Sequence, residues 1–117
     1  MTIKRNDAGP RMSEAVIHGD KVYLCGVVAG KAAGQSVREQ TADILAQIDE
    51  MLAQAGSDKT KMLKVNIWLT NIESIMEMNR VWDAWVVPGQ TPARATVEAK
   101  LASPEWAVEI MVEAAVS

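Results

Sequence analysis

Apolar and polar residues alternate in several stretches of this chain and recur at helical spacing in two others. Ala15-Val16-Ile17-His18 and Lys21-Val22-Tyr23-Leu24 flank Gly19-Asp20, a two-residue loop suited to a primed turn, so the pattern predicts a hairpin. Gly26, Gly30 and Gly34 then break the alternation and predict a loop. Ser36 followed by Glu39 reads as a capping box opening a helix. Behind it Ile44, Leu45, Ile48, Met51, Leu52 and Ala55 repeat at three- and four-residue spacing, and Gly56 supplies the stop. A strand follows, with Leu63, Val65, Ile67 and Leu69 on one face and Lys64, Asn66, Trp68 and Thr70 on the other. A second helix is expected over 72–86, with Ile75, Met78, Val81, Trp82 and Trp85 on one side and Pro88-Gly89 ending it. Two strands, about 93–101 and 107–115, close the chain around a turn at Ser103-Pro104. The order β-β-α-β-α-β-β is an α+β plan with both helices on one sheet face.

The other face of that sheet carries the chemical interest. If Val97, Ala99 and Leu101 point at the helices, Arg94, Thr96, Glu98 and Lys100 point away. On the last strand Val108, Ile110 and Val112 point inward, and Glu109, Met111 and Glu113 outward. The outer face then mixes charge with Trp68 and Met111. Such a face is either solvated or covered by another subunit. Four Trp in so short a chain favour a covering partner, although Trp82 and Trp85 fit the core.

Length and composition narrow the function classes. At 117 residues the chain is long enough for one domain, residues 1–117, and too short for two cores. A hydrophobic fraction of 49% with 23% charge excludes a disordered or fibrous chain. The net charge of −3 offers no excess of cations for phosphates, so no nucleic-acid partner is expected. The single Cys25 forms no internal disulfide, and with the single His18 it falls short of a zinc set, so no metal is expected. The first seven residues lack the apolar stretch of a secretion signal, and no apolar run is long enough to span a membrane. The expectation is a cytoplasmic protein.

Several candidate chemistries fail on inspection. Gly26 and Gly30 have three residues between them rather than four, and Ala32 stands where a phosphate loop needs a hydroxyl. His18 sits at a hairpin turn, and Cys25 ends an apolar strand, where a cysteine behaves as a small hydrophobe rather than a nucleophile. The methionines fall mostly at core spacing. What remains is Glu109 and Arg94, read as neighbouring outward positions on the last two strands. Two interpretations stay open: a cross-strand ion pair, or a site in which Arg94 forks a substrate carboxylate and Glu109 moves a proton.

At these residues the sequence resembles the RidA/YjgF family of reactive-intermediate (enamine/imine) deaminases. Pro92-Ala93-Arg94-Ala95-Thr96-Val97 is similar to the family's Pro-Ala-Arg segment, and Val108-Glu109-Ile110 with Glu113-Ala114 to its C-terminal strand. Ala55-Gly56, Met78-Asn79-Arg80-Val81-Trp82 and Cys25-Gly26 match in order and spacing, and Met12-Ser13-Glu14 resembles the YoaB-like branch. The resemblance implies a chorismate-mutase-like fold, assembled as a homotrimer whose outer sheet faces form a central barrel with clefts between subunits. It implies hydrolysis of 2-imino or enamine acids, such as 2-aminoacrylate or 2-iminobutyrate, to 2-keto acids and ammonia, without a cofactor. Arg94 would then clamp the carboxylate and Glu109 would activate water. Asn79, Cys25 and Gly26 would line the pocket, and Met12 would stand where many deaminase-active members carry a Tyr.

Overall fold

The structure, a computed structural model, describes residues 1–116. The predicted hairpin forms as β2 (Ala15–His18) and β3 (Lys21–Leu24), with Gly19 at a φ of 63° in its turn. Ser36 caps α1 (Val37–Gln54): its hydroxyl accepts the Glu39 N–H at 3.1 Å. At the other end Ser57 N–H donates to the Leu52 carbonyl and Gly56 N–H to that of Ala53, at 2.8 and 3.1 Å. That is a Schellman ending, and Gly56 takes the left-handed φ of 81° that it requires. The second helical stretch begins with a 3-10 turn (Ile72–Ser74) and continues as α2 (Ile75–Trp85).

β5 (Met62–Leu69), β6 (Ala93–Glu98) and β7 (Val108–Ala115) complete the predicted elements. Two strands are additional: β1 (Ile3–Asn6), antiparallel to β2, and the two-residue β4 (Val27–Val28), paired to β7 inside the predicted glycine loop. The result is one mixed seven-stranded sheet ordered β1-β2-β3-β7-β5-β6, with β4 beside β7 and only β5 and β6 parallel. The chorismate-mutase-like α+β plan holds. Both helices cover one face, burying Ile44, Leu45, Ile48, Leu52, Met78 and Trp82 against Val65, Ile67, Leu69, Val108, Ile110 and Val112. No helix among the described residues is long and apolar enough to cross a membrane.

Two side chains brace the loops around this core. Buried Gln40 donates to the Gln35 and Glu105 carbonyls at 2.9 and 3.0 Å and accepts the Ala107 N–H at 2.9 Å. One amide thus satisfies three backbone groups beside the start of β7. Gln40→Leu keeps the volume and orphans the Gln35 carbonyl and the Ala107 N–H, while the Glu105 carbonyl keeps the Gly34 N–H, so it is expected to cost about 2 kcal/mol. The shift of the urea midpoint measures it, and a loss under about 1 kcal/mol contradicts this bracing role. Asp43 accepts the Gly30 and Ala32 N–H groups, both at 2.9 Å, and ties the glycine loop to α1. Burial pushes its carboxyl up, but the Ala32, Gln47 and Gly30 hydrogen bonds together hold it below the ordinary value.

Two expectations about facing are corrected. Leu63 is not in the core: a register shift between Met62 and Lys64 makes it the extra residue of a bulge, 46% exposed, and Met62 is buried in its place. On β6 the two faces are exchanged. Arg94, Thr96 and Glu98 pair in register with buried Val65, Ile67 and Leu69, so they share the helix-covered face. Ala93, Ala95 and Val97 lie on the outer face, where Val97 is 51% exposed. Alternation marks the more apolar face of a strand, and on this edge strand that face is the one the chain's own helices leave bare.

Candidate functional site

The outer face is built in rows fixed by strand register. Val97, Trp68, Glu109 and Val28 lie side by side, as do Ala95, Asn66 and Met111. Glu109 therefore stands between Trp68 and Val28, outward-facing as expected. Burial pushes its carboxyl above the ordinary carboxylate value.

Register also explains the Cys25-Gly26 pair. Tyr23 faces Glu113 and Val27 faces Ile110, so three residues on one side oppose two on the other. The extra residue is a bulge separating β3 from β4 beside Met111. At Gly26 a Cβ would lie 2.0 Å from Glu109 Oε2 and 2.9 Å from its Cδ. The missing side chain is what gives the carboxyl its seat. Cys25 is half-buried, and burial, then Glu14, then Glu109 push its thiol up, while its own backbone hydrogen bond acts the other way. A raised thiol pKa favours the protonated form, which is a poor nucleophile. The Cys25 N–H donates to the Glu14 carbonyl at 2.9 Å, so the loop holding Met12 passes beside it; Met12 itself is 57% exposed.

Arg94 belongs to a second group, on the other side of the sheet. Its guanidinium carbon lies 5.4 Å from the ring centroid of buried Trp82 on α2. That cation–π contact holds the guanidinium over the ring, and a guanidinium so placed can still fork a carboxylate through its N–H groups. No carboxylate among the described residues pairs with it. Asn79, one turn before Trp82, keeps its Oδ1 buried without a protein partner, and Thr96 Oγ1 is in the same condition.

The two outward neighbours read from sequence are therefore neither neighbours nor on one face. β5 lies between β6 and β7, and Val65, opposite Arg94, is three residues from Trp68, opposite Glu109. Strand geometry puts their Cα atoms about 14 Å apart. The cross-strand ion pair does not exist. Cys25, Gly26 and Glu109 come together on the outer face, while on the other face Arg94 meets Trp82, one turn along α2 from Asn79. Sequence reasoning missed Thr96, and it read Trp82 only as core; helical spacing gives no sign that a ring also carries a cation.

Comparison with known proteins identifies the family. The family profile described as Endoribonuclease L-PSP matches residues 2–116. RutC family protein YoaB of Escherichia coli K12 is 46% identical over 116 residues, covering 99% of this chain and 100% of that protein. A crystal structure of a YjgF family member from Neisseria meningitidis superposes with a TM-score of 0.96 at 49% identity, covering 100% of this chain and 97% of that one. The chloroplastic Reactive Intermediate Deaminase A of Arabidopsis thaliana is more distant, 30% identical over 91 residues, or 74% of this chain and 48% of that protein. With this profile, these relatives and this fold, the chain belongs to the RidA/YjgF family.

Proposed function

We infer that this protein hydrolyses reactive 2-imino and enamine acids, such as 2-aminoacrylate or 2-iminobutyrate, to 2-keto acids and ammonia in the cytoplasm, in clefts between the subunits of a homotrimer. One observation carries the reading: an unpaired guanidinium and a desolvated carboxyl, the two groups the reaction needs, lie on opposite faces of one sheet. A heterologous ring of copies brings the Arg94 edge of one subunit to the Glu109 face of the next. The apolar outer face, with Trp68, Val97 and Met111, supports such an assembly. So does the name of the Arabidopsis relative.

In that cleft Arg94 holds the substrate carboxylate and leaves the imine carbon facing Glu109. Glu109 takes a proton from water as the oxygen attacks that carbon and passes that same proton to the imine nitrogen, giving a carbinolamine and regenerating the carboxylate. The hydroxyl proton then passes to nitrogen, the C–N bond breaks, and ammonia leaves as the C=O forms. An imine carbon is already electrophilic, so orientation and proton transfer supply most of what catalysis requires. The test generates 2-imino acids with an amino-acid oxidase and follows their decay to 2-keto acids. Acceleration in proportion to added protein supports the reading, and decay at the uncatalysed rate overturns it.

A second reading rests on Met12, the departure from the family's Tyr: a trimeric protein that binds small carboxylates without turning them over. Calorimetric binding of a 2-keto acid together with no acceleration of any imine would favour it. The endoribonuclease description of the family profile finds little support, because the only histidine, His18, lies exposed at the hairpin turn.

A further inference from the structure

The two orphaned polar atoms lie between α2 and β6, and two contacts bracket them. At one end Arg94 stacks on Trp82; at the other the Ile72 N–H donates to Glu98 Oε1 at 3.1 Å. Because β5 and β6 are parallel, α2 returns antiparallel to both. A two-residue step along β6 from Arg94 to Thr96 is about 6.6 Å. The one-turn step along α2 from Trp82 back to Asn79 is about 4.5 Å and runs the same way. Thr96 and Asn79 thus occupy the same level of the helix–strand seam.

Neither atom has found a use within the chain. Asn79 Oδ1 and Thr96 Oγ1 are buried without a protein partner, and the Asn79 amide nitrogen reaches only the Met76 sulfur, at 4.0 Å. Buried polar groups left unpaired are uncommon and costly, and they accumulate where a ligand completes them. Asn79 Oδ1 accepts only; Thr96 Oγ1 donates and accepts. Together they match a hydroxyl, which does both. A methyl group of the same size would leave both atoms orphaned.

We propose that Thr96 and Asn79 select the substrate's side chain, favouring acids with a hydroxyl on C3 over their alkyl isosteres. This rests on Arg94 holding the carboxylate. Arg94 and Thr96 share one face of β6 two residues apart, a span that a three-carbon acid bridges with a polar group at each end.

The test uses two stable keto acids of nearly equal shape, 3-hydroxypyruvate and 2-oxobutanoate, titrated calorimetrically into the full chain. Hydroxypyruvate is expected to bind about tenfold tighter, the ratio of one ordinary hydrogen bond. Thr96→Val removes one of the two partners and should reduce that ratio severalfold, and Thr96→Ser should retain the preference. Equal affinities in the parent protein, or a preference undiminished in Thr96→Val, overturn the proposal and leave the carboxylate clamp standing. Should neither acid bind the parent, the clamp itself fails and takes this inference with it. If Thr96→Val does not fold, the parental ratio and Thr96→Ser decide.

Discussion

Arg94→Ala is expected to lower kcat/KM for a 2-imino acid by about a thousandfold, because it removes a charge-assisted fork worth about 4 kcal/mol. The loss is not one of folding. Arg94 is exposed on an edge strand, and its stacking on Trp82 is worth about 1 kcal/mol. The melting temperature should therefore move by a few degrees at most, and the assembly should persist. Arg94→Lys keeps the charge but loses both the fork and the planar stacking, so it should recover only a minor part of the activity. Steady-state kinetics beside a melting curve checks this, and unchanged turnover in Arg94→Ala would remove Arg94 from the site.

The second large effect concerns Glu109 and the bulge that seats it. Glu109→Gln removes the proton carrier and should cost 10²- to 10⁴-fold in kcat. Gly26→Ala should cost about a hundredfold with Glu109 itself unchanged, since its methyl group would lie 2.0 Å from Glu109 Oε2 and displaces the carboxyl. Glu109 also sets the pH dependence. Only its carboxylate accepts a proton, so kcat falls as pH drops through the pKa of Glu109 in the complex. Burial raises that pKa, and the bound substrate's carboxylate neutralises Arg94, the cation that would otherwise lower it again. The acid limb of kcat should therefore lie above the ordinary carboxylate range. A limb near pH 4, or a Gly26→Ala variant with parental kcat, contradicts this seating.

The limits of what the sequence revealed have physical causes. The hairpin, both helices and the core face of β7 were legible because one side of each element packs on the chain's own core. β1 was not, since Ile3-Lys4-Arg5-Asn6 carries a single apolar residue and pairs only through its backbone with β2. β4 is two valines inside a glycine-rich stretch, with no period to detect. The β6 faces were exchanged because Ala93, Ala95 and Val97 form an apolar row that the monomer does not bury. The candidate site residues Arg94 and Glu109 were named from the Pro-Ala-Arg segment and the final strand. The geometry of the site was not legible, because the β5–α2–β6 crossover inserts β5 between the strands bearing Arg94 and Glu109. Strand order is a property of the whole fold, and no local pattern encodes it.

That separation makes the central claim directly testable. Arg94→Ala and Glu109→Gln chains are co-expressed, and keto-acid release is followed with a serine/threonine dehydratase coupled to lactate dehydrogenase. The account predicts an active parent, two inactive variants and a mixed assembly with about a quarter of the parental rate, because random assortment gives one cleft in four an intact Arg94 and an intact Glu109 from adjacent subunits. An inactive parent, or mixed assemblies as inactive as each variant alone, would contradict it.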